Sequence, residues 1–353
     1  MKSFQPNSNF KSIYNWCFTL VLMLIFLFAM LTSSSQGFGQ LADNFFQRNF
    51  LIENFNRLRI KVGDHVFPVV IISEEGWMEY TGDGNVDDFQ NAQHFSSDAL
   101  FTTAQTIDEC HKYAQEHNMT LLIVVAPNKA SIYPDKLPEQ IQPLSELSRF
   151  DQLNDYLRAN RIPEILDLRP ALREARQQQD VYTKMSSHWN NYGAYIAYVE
   201  IIDALSKRHP DLEPYSAKFF RFRMIIQDWS DIAGLIQANF IIREPVPVPT
   251  RNVDDFVHKL NFPDADLGYH QISWIPDSDL PTLLLFHDSF GEAGLNHFLA
   301  LNFSKAYYVH RNSSSLYLNK PAIEQFAPNV MIYEIVERNL KGIQSQLSGC
   351  ASK

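Results

Sequence analysis

The longest apolar run of the chain lies near its start. Trp16 to Leu31 is almost continuously hydrophobic, and no Asp, Glu, Lys, Arg or His occurs from Ser12 to Ala42. Ile13 to Thr32 meets the roughly 20 residues needed to span a bilayer, with Tyr14 and Trp16 at one interface. Lys2 and Lys11 precede it, which by the positive-inside preference predicts export of the chain beyond the run. The expectation is a cytoplasmic stub and membrane helix over residues 1–37 and an extracytoplasmic domain over 38–353. Small residues at Ser33, Ser34, Ser35 and Gly37 keep open the alternative of a cleaved signal peptide.

Beyond that run the period changes repeatedly. Phe45, Phe46, Phe50, Leu51, Phe55 and Leu58 recur at three- and four-residue intervals and predict an amphipathic helix. Val66 to Ile72 reads as a first strand, and Ser97 to Asn118, opened by Ser96, as a helix. Leu121 to Val125 is continuously apolar, the signature of a strand buried on both faces of a parallel sheet. Helix, strand and helix then succeed one another at Phe150–Ala159, Pro163–Leu168 and Ala171–Gln179, with a further helix at Ala194–Lys207. Leu283–Phe286, Lys305–Val309 and Val330–Tyr333 supply three later strands at helix-sized intervals. This alternation predicts an α/β fold, a mostly parallel central sheet flanked by helices. Residues 210–280 are proline-rich, without a clean period, and read as an insertion or cap.

Composition narrows the function. The formal net charge of −10 argues against nucleic acid as a partner. Cys17, Cys110 and Cys350 show neither zinc-ligand nor redox spacing, so neither a metal site nor a disulfide framework is expected. Asp83 to Asp88 looks like a calcium loop, but Asp88 and His94 occupy the positions of the required glycine and glutamate, which makes it a polar turn.

The chemistry lies in two segments. Leu283 to Phe286 runs into His287, Asp288 and Ser289, with Gly291 and Gly294 just beyond, which is how a serine is presented at a strand-to-helix turn. Asp288 or Ser289 capping a helix is the plainer reading. The other segment is Ser186-Ser187-His188-Trp189-Asn190 ahead of a helix. Asn128 and Lys129 end a central strand, where α/β folds place ligands.

With these two segments, the chain resembles the alginate O-acetyltransferase (AlgJ/AlgX-like) family of SGNH-hydrolase-like enzymes. Phe46-Gln47-Arg48, Gly76-Trp77, Pro127-Asn128-Lys129, Asp167-Leu168-Arg169-Pro170, His188-Trp189-Asn190, Asp288-Ser289-Phe290 and Glu334 to Arg338 fall in the family's order. The resemblance implies a permuted SGNH fold, Ser289 as nucleophile, His188 as general base, and Asn128, Lys129 and Asn190 at the substrate. Ser186 stands where the family has its catalytic aspartate, and Asp167, Asp180 and Asp288 are the carboxylates considered as substitutes. The implied activity is O-acetylation of an exopolysaccharide or cell-envelope glycan, without cofactor, with a membrane-bound acyltransferase as acetyl donor and an inner-membrane, periplasm-facing location. A catalytically degraded glycan-binding scaffold and an acetylesterase remain the alternatives.

Overall fold

The computed structural model describes residues 48–241, 243–251, 253–261, 269–310 and 320–351, together with Trp16, Thr19, Leu20, Met23 and Leu24. Most of the expected membrane segment therefore lies outside the described residues. Among the described residues no helix is long and apolar enough to cross a membrane.

Two compact units are present, residues 1–64 with 236–238, and residues 65–235 with 239–353. In the first, helix α1 (Arg48–Lys61) leaves Phe50, Leu51, Phe55 and Leu58 exposed, while the buried Asn56 side-chain amide donates to the Ile236 carbonyl at 2.6 Å.

The second unit is built on strands β1 (Val66–Phe67), β2 (Val70–Ile72), β3 (Met78–Tyr80), β4 (Thr120–Ala126), β5 (Leu166–Asp167), β6 (Phe222–Gln227), β7 (Glu244–Pro249), β8 (His258–Asn261), β9 (Tyr269–Trp274), β10 (Thr282–His287), β11 (Lys305–His310) and β12 (Val330–Val336). The main sheet has the order β5-β4-β12-β10-β11-β9-β8. From β5 through β11 every neighbouring pair is parallel. β9 and β8 then add antiparallel at the edge, so the sheet is mixed rather than simply parallel. Both added strands come from the stretch read as an insertion. Val66 to Ile72 is likewise two strands, broken between Phe67 and Val70 where Pro68 stands, since a proline cannot donate to the ladder.

The central strands are largely apolar because helices cover both faces. Leu283, Leu285, Val330 and Ile332 point into one core with helices α4 (Arg169–Ala175) and α5 (Asn191–Ser206), and Leu284, Phe286, Met331 and Tyr333 into the other with helices α2 (Ser97–Glu116) and α3 (Arg149–Ala159). Ser96 caps α2 by accepting from the Ala99 N–H, as its sequence suggests.

Cys110 of α2 is disulfide-bonded to Cys350 of the C-terminal helix Ile343–Ala351, with their Cα atoms 5.2 Å apart. This corrects the expectation of no disulfide. A separation of 240 residues carries no local signal, and only the fold brings the two helices together. A cross-link closing so long a loop restricts the unfolded chain, and Cys350→Ser is expected to lower stability by about 2–4 kcal/mol. Denaturant melts with and without reductant check this: reductant should destabilise the wild type and leave the variant unchanged.

Candidate active site

β10 is buried between β12 and β11 and delivers Ser289 to the carboxyl edge of the sheet. Asp288 fixes the turn. Its two carboxylate oxygens accept from the N–H of Phe290 at 2.9 Å and of Val336 at 2.8 Å, and its own N–H donates to Glu334 Oε2. The carboxylate is thereby turned into the strand ends and away from the groove, leaving Ser289 part-exposed. Gly291 is required close by, because a β-carbon there would lie 2.6 Å from the His287 side chain.

His188 arrives on a loop that is closed on itself. Tyr182 and Trp189 form an antiparallel bridge, the Asn190 N–H donates to the Val181 carbonyl, and the Asn190 side-chain amide donates to the Asp180 carbonyl. Asn190 Oδ1 accepts from the N–H groups of Tyr192 and Gly193, capping α5. Trp189 then joins this loop to the serine turn: its indole N–H donates to the Phe290 carbonyl at 3.2 Å, while the Phe290 ring lies between Trp189 and His188 at centroid distances of 4.9 and 4.8 Å.

His188 Nε2 is 2.7 Å from Ser289 Oγ. Its other ring nitrogen, Nδ1, is 3.1 Å from Asp231 Oδ2. Serine, imidazole and carboxylate are therefore in line, with the carboxylate fixing the imidazole tautomer and opposing the charge it gains on taking a proton. Asp231 opens helix α6 (Asp231–Leu235) and also accepts from the Ser187 N–H at 3.1 and 3.2 Å and from the Ser187 hydroxyl. Burial pushes the Asp231 carboxyl up, but hydrogen bonding and charge from His188 and the hydroxyls of Ser187 and Ser186 more than offset it and hold the group well below the usual carboxylate range. Ser230 anchors the segment by donating to the Met185 carbonyl and accepting the Ala233 N–H.

Of the residues singled out in the sequence, Ser289 and His188 are in hydrogen-bonding contact. The Ser186 hydroxyl accepts the His188 backbone N–H at 3.2 Å and lies beside Asp231, so it supports the loop while the carboxylate comes from elsewhere. Asp167 is engaged by Arg169, Asp180 by the Tyr133 hydroxyl and Asp288 by backbone N–H groups. Asn128 and Lys129, expected at the substrate, do not line the groove. Asn128 is buried between Asp88 Oδ2, Glu337 Oε2 and Arg338. Lys129 Nζ is buried among the carbonyls of Met78, Lys184 and Ser186, a strut beneath the histidine loop. Asn190 does line the groove, but with its amide spent on the helix cap. No cluster of His, Cys, Asp or Glu suited to a metal occurs among the described residues.

The groove above Ser289 and His188 has a volume of about 830 Å³, at the upper end for small-molecule sites. The antiparallel β6–β7 ribbon forms one wall and the segment Glu292–Gly294 with His297 another. Thr183 Oγ1 is buried beside it and has no partner among the described residues. Asp231 is the site carboxylate that the sequence does not single out. Its only signal is a serine–aspartate pair ahead of a short apolar stretch, an ordinary helix start.

Solved structures with the same fold include PatB1 of Bacillus cereus, at TM-score 0.54 and 15% identity over 77% of this chain and 97% of that one. A DHHW family protein of Eubacterium siraeum matches at TM-score 0.55 and 14% identity, covering 79% of this chain and 94% of that one. The O-acetyltransferase domain of Pseudomonas putida AlgJ matches at TM-score 0.50 and 18% identity, covering 78% and 93%. No curated protein matches by sequence. Residues 70–337, which span the sheet, the histidine loop, the ribbon and the serine turn, match the model of the SGNH hydrolase-like domain, acetyltransferase AlgX, and the chain belongs to that family.

Proposed function

We propose that this protein is an O-acetyltransferase that modifies an exopolysaccharide or cell-envelope glycan through an acetyl-Ser289 intermediate. The observation that carries the proposal is the alignment of Ser289, His188 and Asp231 at the floor of an open groove. Ser186 at the aspartate position favours a non-catalytic scaffold; Asp231, 3.1 Å from His188 Nδ1, supports the catalytic reading instead.

In the first half-reaction Ser289 Oγ attacks the acetyl carbonyl of the donor while its proton passes to His188 Nε2. The imidazolium is held by Asp231 and returns the proton to the departing donor group. In the second, a sugar hydroxyl gives its proton to His188 and attacks the acetyl carbon, and Ser289 recovers its proton as it leaves. The Phe290 and Gly291 N–H groups are taken up by Asp288, which leaves the Ser289 N–H, on the nucleophile itself, as the backbone donor of this turn for the developing oxyanion.

Location and partner belong to the same proposal. The Cys110–Cys350 disulfide suits an oxidising compartment, in keeping with an extracytoplasmic domain anchored at the inner membrane by its N-terminal segment. Acetyl-CoA is absent there, so a membrane-bound acyltransferase would hand over the acetyl group.

Purified full-length protein, given a chromogenic acetyl ester and quenched with acid, is expected to carry one acetyl group on the peptide containing Ser289. Added oligosaccharide should divert the group from water to sugar. Ester turnover with an unmodified Ser289 peptide would exclude the covalent mechanism, and release to water alone at saturating oligosaccharide would make the protein an esterase.

A further inference from the structure

The ribbon wall holds two side chains that the triad does not use. Trp229 lies just beyond β6, is 63% exposed and lines the groove two residues ahead of Asp231. Arg251, just past β7, lines the groove from the same side. Its guanidinium carbon lies 4.2 Å over the Phe219 ring and 5.7 Å from that of Phe256, and among the described residues no carboxylate pairs with it. A part-buried guanidinium without a counter-charge is costly, and aromatic faces offset only a fraction of that cost while leaving its N–H groups for an incoming oxyanion.

Formal charge elsewhere in the groove is sparse. Glu292 is the other charged lining residue. His297 is neutral at physiological pH, because burial and the neighbouring Lys259 push it down to about 4, against a smaller upward pull from Asp254. Asp231 stands behind His188. One cation, one exposed carboxylate and a chain of net charge −10 oppose a ligand with an anion on every sugar.

We infer that the β6–β7 ribbon is the acceptor-binding wall: Trp229 stacks on a pyranose face, and Arg251 binds one oxyanion substituent, carboxylate or phosphoryl, of an acceptor whose neighbouring sugars are uncharged. This deepens the proposed transferase activity and rests on it. Four oligosaccharides of equal length test it, one neutral, one with a single internal uronate, one with a single internal phosphorylated sugar, and one uronate throughout, each offered to the full-length protein with the chromogenic ester as donor. Transfer to at least one singly charged acceptor should exceed transfer to the neutral and fully charged ones by about ten- to a hundredfold in kcat/KM, and the two singly charged arms show which oxyanion is preferred. Arg251→Met should erase that preference through KM, Arg251→Lys should restore part of it, and Trp229→Ala should raise KM for every acceptor by about tenfold. Equal use of neutral and singly charged acceptors, preference for the uniform polyuronate, or a preference that survives Arg251→Met would overturn the inference. Equilibrium binding of the same four oligosaccharides to Ser289→Ala protein reads the preference without turnover. Ester hydrolysis in the absence of acceptor reports on the triad alone, so the two readings fail separately.

Discussion

Asp231→Asn should lower kcat for acetyl release by about 10³- to 10⁴-fold with little change in KM for a small ester, because in serine proteases the same change of the orienting carboxylate to an amide costs about 10⁴. The amide is nearly isosteric with the carboxylate, so the loss reports on charge and tautomer rather than on packing. Asp231 Oδ2 faces His188 Nδ1 and the Ser187 hydroxyl together, and a neutral amide cannot oppose the imidazolium. Ser186→Asp separates a displaced acid from a degraded site. In the wild type it adds a second carboxylate beside Asp231, and like-charge repulsion should hold activity level or reduce it. Combined with Asp231→Asn it should recover at least about tenfold, since position 186 already lies next to the carboxylate it would replace. Steady-state kinetics on the two single variants and the double variant decide this. A rise in activity from Ser186→Asp alone would mean that Asp231 does not serve as the acid.

The pH dependence has a definite sign. Asp231 is held below its ordinary value of 3.8, so it is ionised at neutral and mildly acidic pH. Its contribution to stability is complete above that ordinary value and is lost only as pH falls through the lower native one. A fall in rate at mildly acidic pH therefore does not originate at Asp231.

Ser289→Ala should remove at least about 10⁴-fold of kcat and all acetyl-enzyme, as loss of the nucleophile alone costs about 10⁶ in subtilisin. The fold should not register the change. Ser289 Oγ has His188 Nε2 as its one side-chain partner among the described residues, and stability should stay within about 0.5 kcal/mol of the wild type. Parallel ester kinetics and denaturant melts check both halves, and full turnover in a stable variant would rule the serine out.

One physical division separates the features legible in the sequence from those that were not. β4, β10, β11 and β12 were legible because strands buried on both faces read as near-continuous apolar runs, with the buried polar exceptions, His287 and Glu334, gathered toward the carboxyl ends where the site lies. Ser289 was legible because a polar turn after such a run has to sit at the sheet edge. The ribbon was not. In β7, Pro245, Pro247 and Pro249 alternate with Glu244, Val246 and Val248, a pattern that normally argues against a strand. It is tolerated in a two-stranded ribbon, where proline nitrogens facing away from the partner strand forfeit no ladder bond. Asp231 and Cys350 share the remaining reason: their partners, His188 and Cys110, are 43 and 240 positions away, and neither spacing is local enough to leave a period.

Where a surface element only shapes a binding site, function is varied by changing that element while the scaffold stays the same. Here the same short stretch, Gln227 to Asp231, both shapes the cleft and carries the carboxylate that meets His188 Nδ1, pinned by Ser230 to the Met185 carbonyl. A chimera that imports a foreign ribbon without an aspartate at this point would forfeit turnover along with selectivity, unless position 186 were changed to a carboxylate in the same molecule.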